Sequence, residues 1–126
     1  MVSSRKKVLI CDDDAVILKL LQVNLELEGY DVITGRNGEE AVRLAQAERP
    51  DLIILDIMMP KLDGYQACRQ IKARESTKDI PIIFLSAKAQ HTDIERGIAY
   101  GVAAYMTKPF DPNELLDIVE RLTETA

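Results

Sequence analysis

The run from Asp51 to Asp56, with the sequence DLIILD, constrains the fold of this chain more than any other feature. Its four central residues are large and apolar, so the run offers no polar face to solvent. A strand of this composition is covered on both faces, as in parallel sheets with helices on each side. The run Ile80–Ser86, IPIIFLS, has the same character. Together the two runs predict an α/β fold.

Strand-like runs alternate with stretches of helical period along the whole chain. We predict strands at Lys7–Cys11, Asp31–Thr34, Asp51–Asp56, Ile80–Ser86 and Ala103–Thr107. We predict helices at Ala15–Glu28, Asn37–Glu48, Tyr65–Arg74, Thr92–Tyr100 and Pro112–Thr123. Asp63 with Gln66 fits a capping box at the start of the third helix. Five strand–helix units with right-handed crossovers give a (βα)₅ fold with helices on both faces of a parallel sheet.

Length and charge restrict the functions open to this chain. Its 126 residues fit a single domain, 1–126, and its net charge of −5 argues against direct binding to nucleic acid. The sequence begins with basic residues but has no long apolar stretch before the acids, and it has no 18-residue apolar run. We therefore expect no signal peptide, no membrane span and a cytoplasmic location. Cys11 and Cys68 lack metal-ligand spacing, and we interpret them as buried free thiols.

Polar residues follow four of the predicted strands. Asp12 and Asp13 follow the first strand, Asp56 ends the third, Ser86 ends the fourth and Lys108 follows the fifth. In open α/β sheets, ligands bind outside the carboxyl ends of the strands. We therefore expect these side chains to meet at one site.

The acidic residues of this set predict a bound cation. If the first and third strands are neighbours, Asp12, Asp13 and Asp56 crowd together, and two charges about 4 Å apart repel by roughly 4 kcal/mol at an effective dielectric of 20. Without a cation, one of them should titrate upward. Oxygen ligands with open positions suit Mg²⁺, with Mn²⁺ as an alternative, whereas Zn²⁺ would require His or Cys.

Asp56 is the candidate phosphoryl acceptor of this site, because a carboxylate held rigidly at a strand end can form an acyl phosphate. Phosphoryl transfer depends mainly on positioning and charge neutralisation, which Mg²⁺, Lys108 and the Ser86 hydroxyl could supply. Taken singly, each residue has an ordinary interpretation as a helix cap, a loop hydroxyl or a solvated charge. Asp14 is best explained as such a cap. The joint arrangement favours phosphoryl transfer.

Four segments of the chain resemble the response-regulator receiver family, the phosphoacceptor half of two-component signalling. They are VLICDDD (Val8–Asp14), PDLIILDIMMPKLDGYQ (Pro50–Gln66), PIIFLSA (Pro81–Ala87) and AAYMTKPF (Ala103–Phe110). The resemblance covers essentially the whole chain. It implies a flavodoxin-like (βα)₅ doubly wound parallel sheet with strand order 2-1-3-4-5.

The resemblance also implies roles for the site residues. Asp56 is the phosphoacceptor, Lys108 pairs with the phosphoryl group, and the bond from Lys108 to Pro109 is typically cis. The implied metal ligands are Asp13, Asp56, Asp12 through a water, and the backbone carbonyl of Met58. The chain would catalyse only its own phosphorylation and dephosphorylation.

The resemblance places Ser86 and Tyr105 at the two positions that change conformation when receivers of this family are phosphorylated. Phosphorylation draws Ser86 toward the new oxygens, Tyr105 rotates into the vacated space, and the surface of the fourth helix, fifth strand and fifth helix changes. The implied partners are a sensor histidine kinase or histidine phosphotransfer domain, and a downstream effector protein or output domain.

Two departures from the family pattern carry expectations. Ala103 and Ala104 stand where many receivers of DNA-binding regulators have two acids, which argues against a dimer through that surface. Met58 and Lys88 occupy positions that influence loss of the phosphoryl group, and neither offers a carboxylate or amide to orient water. We therefore expect slow self-dephosphorylation.

In the first helix, the periodicity predicts an inward apolar stripe of Ile17, Leu20, Leu21 and Leu25. The helix also carries extra apolar residues beside Leu20, at Val16, Val23 and Leu27. A wide core stripe is the simpler interpretation, and a docking surface for a kinase or phosphotransfer helix pair is the alternative. His91, the one histidine, is interpreted as a solvated loop residue rather than a phosphodonor.

Three other functions compete with the receiver interpretation. An aspartyl-phosphate phosphohydrolase of the haloacid-dehalogenase type needs a second Asp where this chain has Met58. A flavin or nucleotide binder needs a phosphate cradle after the first strand, where this chain has three acids. An unphosphorylated protein-interaction module would not need the complete set of acids, hydroxyl and lysine.

Overall fold

The computed structural model describes residues 5–87 and 91–124, without the side chains of residues 91–94. Its strands are β1 (Lys7–Cys11), β2 (Asp31–Gly35), β3 (Leu52–Asp56), β4 (Ile82–Ser86) and β5 (Ala104–Thr107). Its helices are α1 (Ala15–Leu27), α2 (Gly38–Glu48), α3 (Gly64–Lys72), α4 (His91–Ala99) and α5 (Pro112–Thr123). The predicted element order is confirmed, with bounds that shift by one or two residues.

The five strands form one parallel sheet in the order β2-β1-β3-β4-β5, which confirms the implied flavodoxin-like topology. Cys11 pairs with Leu55, which makes β1 and β3 neighbours along their carboxyl ends. Ser86 pairs with Thr107 at the corresponding end of β4 and β5. The ends of four strands therefore lie side by side.

Each face of the sheet has its own apolar core, because side chains alternate between the two faces along a strand. One core contains Leu9, Ile53 and Phe84 with residues of α2 and α3. The other contains Ile10 and Ile54 with residues of α1 and α5. All residues of β3 and β4 are buried, as their continuous apolar composition predicts. Cys11 and Cys68 are confirmed as buried free thiols.

The interpretation of α1 as a wide core stripe is wrong. The buried residues of α1 are Leu18, Leu21 and Leu25, which lie three and four positions apart and so share one face. Leu20, which the periodicity placed inward, is 45% exposed because it lies off that face. The extra apolar residues of the helix are also exposed, at 74% for Val16, 41% for Val23 and 77% for Leu27.

The first and third helices begin at the capping residues that the sequence predicts. Asp14 is the N-cap of α1, and its Oδ1 atom accepts hydrogen bonds from the backbone amides of Val16 and Ile17. Asp63 and Gln66 form the predicted capping box at α3. Among the described residues, no helix combines the length and apolarity needed to cross a bilayer.

Candidate functional site

Three carboxylates meet at the carboxyl edge of the sheet. Asp12, Asp13 and Asp56 each offer an oxygen atom, and these atoms all lie within 4.8 Å of one another. Asp12 and Asp56 are buried, whereas Asp13 is exposed at the rim. The adjacency of β1 and β3 thus produces the acidic cluster that the strand ends predicted.

Backbone amides orient the two buried carboxylates. Oδ1 of Asp12 accepts from the amide of Asp14 at 2.9 Å, and Oδ1 of Asp56 accepts from the amide of Met58 at 3.3 Å. Each bond links a carboxylate to the amide two residues later, so the loop after the strand fixes the side chain. This arrangement leaves the Oδ2 atoms of both aspartates for other partners.

Lys108 provides the positive charge of the site. Its ammonium nitrogen lies 2.8 Å from Oδ2 of Asp12 and 3.5 Å from Oδ2 of Asp56. Its backbone amide donates to the carbonyl oxygen of Ser86 at 2.7 Å, which ties the loop after β5 to the end of β4. Burial lowers the pKa of the Lys108 ammonium, but hydrogen bonds and charges from Asp12 and Asp56 outweigh burial and raise it.

The surroundings of Asp56 raise the pKa of its carboxyl group. Burial is the largest cause, the charge of Asp12 adds to it, and Lys108 opposes both, with the result that the pKa of Asp56 rises to about 6. This confirms the expectation that one carboxylate titrates upward without a cation. Burial and the charge of Asp12 thus favour the protonated acid, and Lys108 opposes them only in part.

The donor set fits a small divalent cation. Three carboxylates within 4.8 Å of one another supply only oxygen ligands, and burial together with the charge of Asp12 raises the pKa of Asp56. Mg²⁺ takes such oxygen ligands and keeps positions for water and phosphate. Met58, the fourth residue implied by the resemblance, lines the same cleft as Asp13.

Ser86 and Tyr105 border a cavity of about 160 Å³ next to the acidic cluster. Ser86 is buried and Tyr105 is half-buried. The Tyr105 ring meets Phe84 edge-on, with ring centroids 6.4 Å apart. The two residues implied as switch positions therefore share one internal space.

The structure thus brings together all of the candidate residues that it describes. Asp12, Asp13, Asp56 and Lys108 form the cluster, and Ser86, Met58 and Tyr105 lie around it. The peptide bond from Lys108 to Pro109 is cis, as the resemblance implied. Lys88 and the side chain of His91 lie outside the described residues.

Sequence reasoning missed two arginines near the site. Arg36 of the β2–α2 loop donates from Nη2 to the backbone carbonyl of Asp13 at 3.1 Å. Arg96 of α4 lines the cavity that Ser86 and Tyr105 border. Both contacts join residues far apart in sequence, and neither has a local sequence signal.

Comparison with known proteins gives a family match over most of the chain. The model of the response regulator receiver domain matches residues 8–120. The chain is 50% identical over 110 residues to the alkaline phosphatase synthesis transcriptional regulatory protein PhoP of Bacillus subtilis, a match that covers 87% of this chain and 45% of that protein. The chain spans less than half the length of the curated relatives it matches.

Two solved structures show the same fold over nearly the whole chain. The receiver domain of Francisella response regulator 1452 superposes with a TM-score of 0.89 at 33% identity, covering 94% of this chain and 97% of that one. The receiver domain of sensor histidine kinase PA1611 from Pseudomonas aeruginosa superposes with a TM-score of 0.89 at 35% identity, covering 97% of this chain and 100% of that one. The latter structure holds a magnesium ion coordinated in its active-site cleft.

Proposed function

Because the chain belongs to the response regulator receiver domain family, we propose that Asp56 accepts a phosphoryl group from a phosphohistidine donor and that the change passes to a protein partner. The observation that carries this proposal is the convergence of Asp12, Asp13 and Asp56 within 4.8 Å, with Lys108 paired to two of them. We also propose that residues 1–126 form one receiver domain.

The transfer is a single displacement at phosphorus. An Oδ atom of Asp56 attacks, the new P–O bond forms, the P–N bond to the donor histidine breaks, and the electron pair leaves with the imidazole. Mg²⁺, or Mn²⁺ in its place, would supply charge neutralisation for the transferred oxygens. We propose Asp12, Asp13, Asp56 and the Met58 carbonyl as its ligands.

Two further side chains act on the transferred group in this proposal. The Lys108 ammonium moves from Asp12 to a phosphoryl oxygen and offsets its charge. The Ser86 hydroxyl donates a hydrogen bond to another oxygen. Movement of Ser86 leaves room in the 160 Å³ cavity for Tyr105, which changes the surface of α4, β5 and α5.

Mass spectrometry after incubation with acetyl phosphate and Mg²⁺ tests the phosphoacceptor directly. Wild type should gain the mass of one phosphoryl group, and Asp56→Asn should not. Asp51→Asn is a matched control, because Asp51 precedes the same strand at the opposite edge of the sheet. An unchanged mass of wild type, or an equal gain in Asp56→Asn, would refute the assignment.

The phosphohydrolase and the pure interaction module receive less support. Met58 provides no acid to protonate a leaving group, and its side chain is 60% exposed. An interaction module would have no use for a lysine paired with two buried carboxylates. Sustained release of phosphate from small phosphoesters would favour the phosphohydrolase.

We propose that the phosphodonor is a sensor histidine kinase or histidine phosphotransfer domain that docks on the exposed face of α1. Val16, Leu20 and Val23 form an apolar groove with Ala15 and Lys19, and α1 begins directly after the acidic loop. Val16→Asp should slow transfer from a phosphorylated phosphotransfer domain and spare phosphorylation by acetyl phosphate. Leu27→Asp, at the far end of α1, should slow neither reaction. Equal transfer to wild type and Val16→Asp would exclude this surface.

The remaining assignments concern the whole protein. We propose an effector protein or output domain as the recipient of the signal, since the curated relatives are more than twice as long as their match to this chain. A cytoplasmic location agrees with two buried thiols that form no disulfide. We do not assign nucleic acid or a membrane as a direct partner of these residues.

A further inference from the structure

Arg96 joins α4 to α3 through aromatic rings. Its guanidinium carbon lies 4.0 Å from the ring centroid of Tyr65 and 6.0 Å from that of Tyr100. On the other side, Arg69 of α3 lies 5.6 Å from the Tyr100 centroid and donates from Nη2 to its hydroxyl oxygen at 3.4 Å. We call Tyr65, Arg69, Arg96 and Tyr100 the cation–aromatic bridge.

The bridge lies at the cavity beside the acidic cluster. Tyr65 and Arg96 line the same 160 Å³ space as Ser86 and Tyr105. The Tyr65 ring packs edge-on against Phe84 with centroids 5.3 Å apart, and Phe84 meets Tyr105 on its other side. A continuous set of ring contacts therefore joins the bridge to the proposed switch residue.

α4 also contacts the switch residue through Gly97, the residue after Arg96. A Cβ atom at position 97 would lie 2.9 Å from the Tyr105 ring and 3.3 Å from that of Phe84. Tyr105 therefore lies directly against the α4 backbone. Because of this contact, α4 and Tyr105 cannot change position independently.

We propose that Arg96 is a positioning residue that holds α4 in the unphosphorylated arrangement through its stack on Tyr65, and thereby sets how readily phosphorylation switches the domain. This inference rests on the proposed function, because it concerns the response to a group bound at Asp56. It assigns to Arg96 an effect on the equilibrium between two conformations and no contact with the phosphoryl group.

In this proposal the stack is made in the unphosphorylated arrangement and broken in the activated one. Arg96 is exposed and packs with its flat guanidinium over the ring, a geometry that lysine does not reproduce. A stack that exists only in the unphosphorylated state makes the activated state less populated. Loss of an interaction of this kind at an exposed site should change the equilibrium by about 2- to 5-fold.

Beryllofluoride, a phosphoryl analogue, with Mg²⁺ is a suitable probe of the activated state. We expect Arg96→Gln to bind it about 2- to 5-fold more tightly than wild type in calorimetric titration. Arg96→Lys should bind it with an affinity between those of wild type and Arg96→Gln, because lysine keeps the charge for a cation–π contact but loses the flat stack on Tyr65. Arg43→Gln, which removes an exposed arginine of α2, is the matched control and should bind like wild type.

A second readout separates positioning from a general change in affinity. In the protein without beryllofluoride, the amide resonances of Ala104 and Met106 in β5 should shift in Arg96→Gln along the line toward their beryllofluoride-bound positions. Equal or weaker binding by Arg96→Gln, or unshifted β5 resonances, would overturn the proposal and leave the proposed function intact. A wild-type protein that binds no beryllofluoride would refute the proposed function, and this inference with it.

Discussion

The ammonium nitrogen of Lys108 lies 2.8 Å from Oδ2 of Asp12, closer than its 3.5 Å to the proposed phosphoacceptor Asp56. The site without its phosphoryl group thus keeps its cation mainly on a carboxylate that is not the acceptor. Asp12 is buried, so its charge needs this partner. In the proposed function, the same lysine would compete with a metal ion for Asp12 and would serve the phosphoryl group during transfer.

Lys108→Met should affect metal binding and phosphorylation in opposite directions. Without the ammonium, Asp12 and Asp56 are free to bind Mg²⁺ more tightly, whereas phosphorylation by acetyl phosphate should slow by roughly 100-fold because a preorganised charge is lost. Calorimetry and mass spectrometry measure the two effects. Lys61→Met, at an exposed lysine of the β3–α3 loop, should change neither. Loss of both Mg²⁺ binding and phosphorylation in Lys108→Met would contradict this division of roles.

The stability of the metal-free protein should depend on the titration of Asp56. Burial and the charge of Asp12 raise the pKa of Asp56 from 3.8 to about 6 in the folded chain. The folded state then binds more protons than the unfolded state between these values. The contribution of Asp56 to the free energy of unfolding is greatest at low pH and falls as the pH rises through about 6.

Urea unfolding of wild type and Asp56→Asn at several pH values measures this effect. Asn does not titrate, so the stability of the variant relative to wild type should increase by at most about 3 kcal/mol between pH 4 and pH 7. Saturating Mg²⁺ should reduce the increase, because a cation removes the repulsion. A difference that is constant with pH would show that Asp56 has an ordinary pKa.

Gly38→Ala should destabilise the fold and disturb the loop that follows Asp56. A Cβ atom at position 38 would overlap the backbone oxygen of Leu62, which cannot move aside as a flexible side chain would. The expected loss is roughly 1–3 kcal/mol in the free energy of unfolding, typical of overpacking. Glu39→Ala, at the exposed next residue, should change it by less than about 0.5 kcal/mol. Equal stabilities would mean that the loop shifts freely.

Met58→Asn should shorten the lifetime of the phosphorylated protein. Met58 lines the cleft with Asp13 but has no polar group to orient an attacking water, whereas an amide at this position could do so. We expect decay to accelerate by roughly tenfold, less than full acid–base catalysis would give. Lys61→Asn is the control, because it adds an amide to the same loop at an exposed position with φ of 69°, which Asn tolerates. Faster decay in wild type than in Met58→Asn would make the expectation of slow self-dephosphorylation wrong.

Periodicity and capping predicted the elements well because these signals are local. The buried runs at β3 and β4 have no polar face, and Asp63 with Gln66 forms its capping box within one turn of helix. Such features depend on residues a few positions apart. The strand order followed from the family resemblance rather than from the residues alone, and β1 pairing with both β2 and β3 confirmed it.

The sequence alone determined the polar groups that follow the strands at the site, because parallel strands bring their carboxyl ends to one edge. Asp12, Asp13, Asp56, Ser86 and Lys108 all follow from that rule. Only the tertiary structure decided how these groups pair, which face of α1 is exposed, and that Arg96 stacks on Tyr65. The reason is physical, since contacts between residues far apart in sequence depend on how each helix packs on the sheet, and neither composition nor period records that packing.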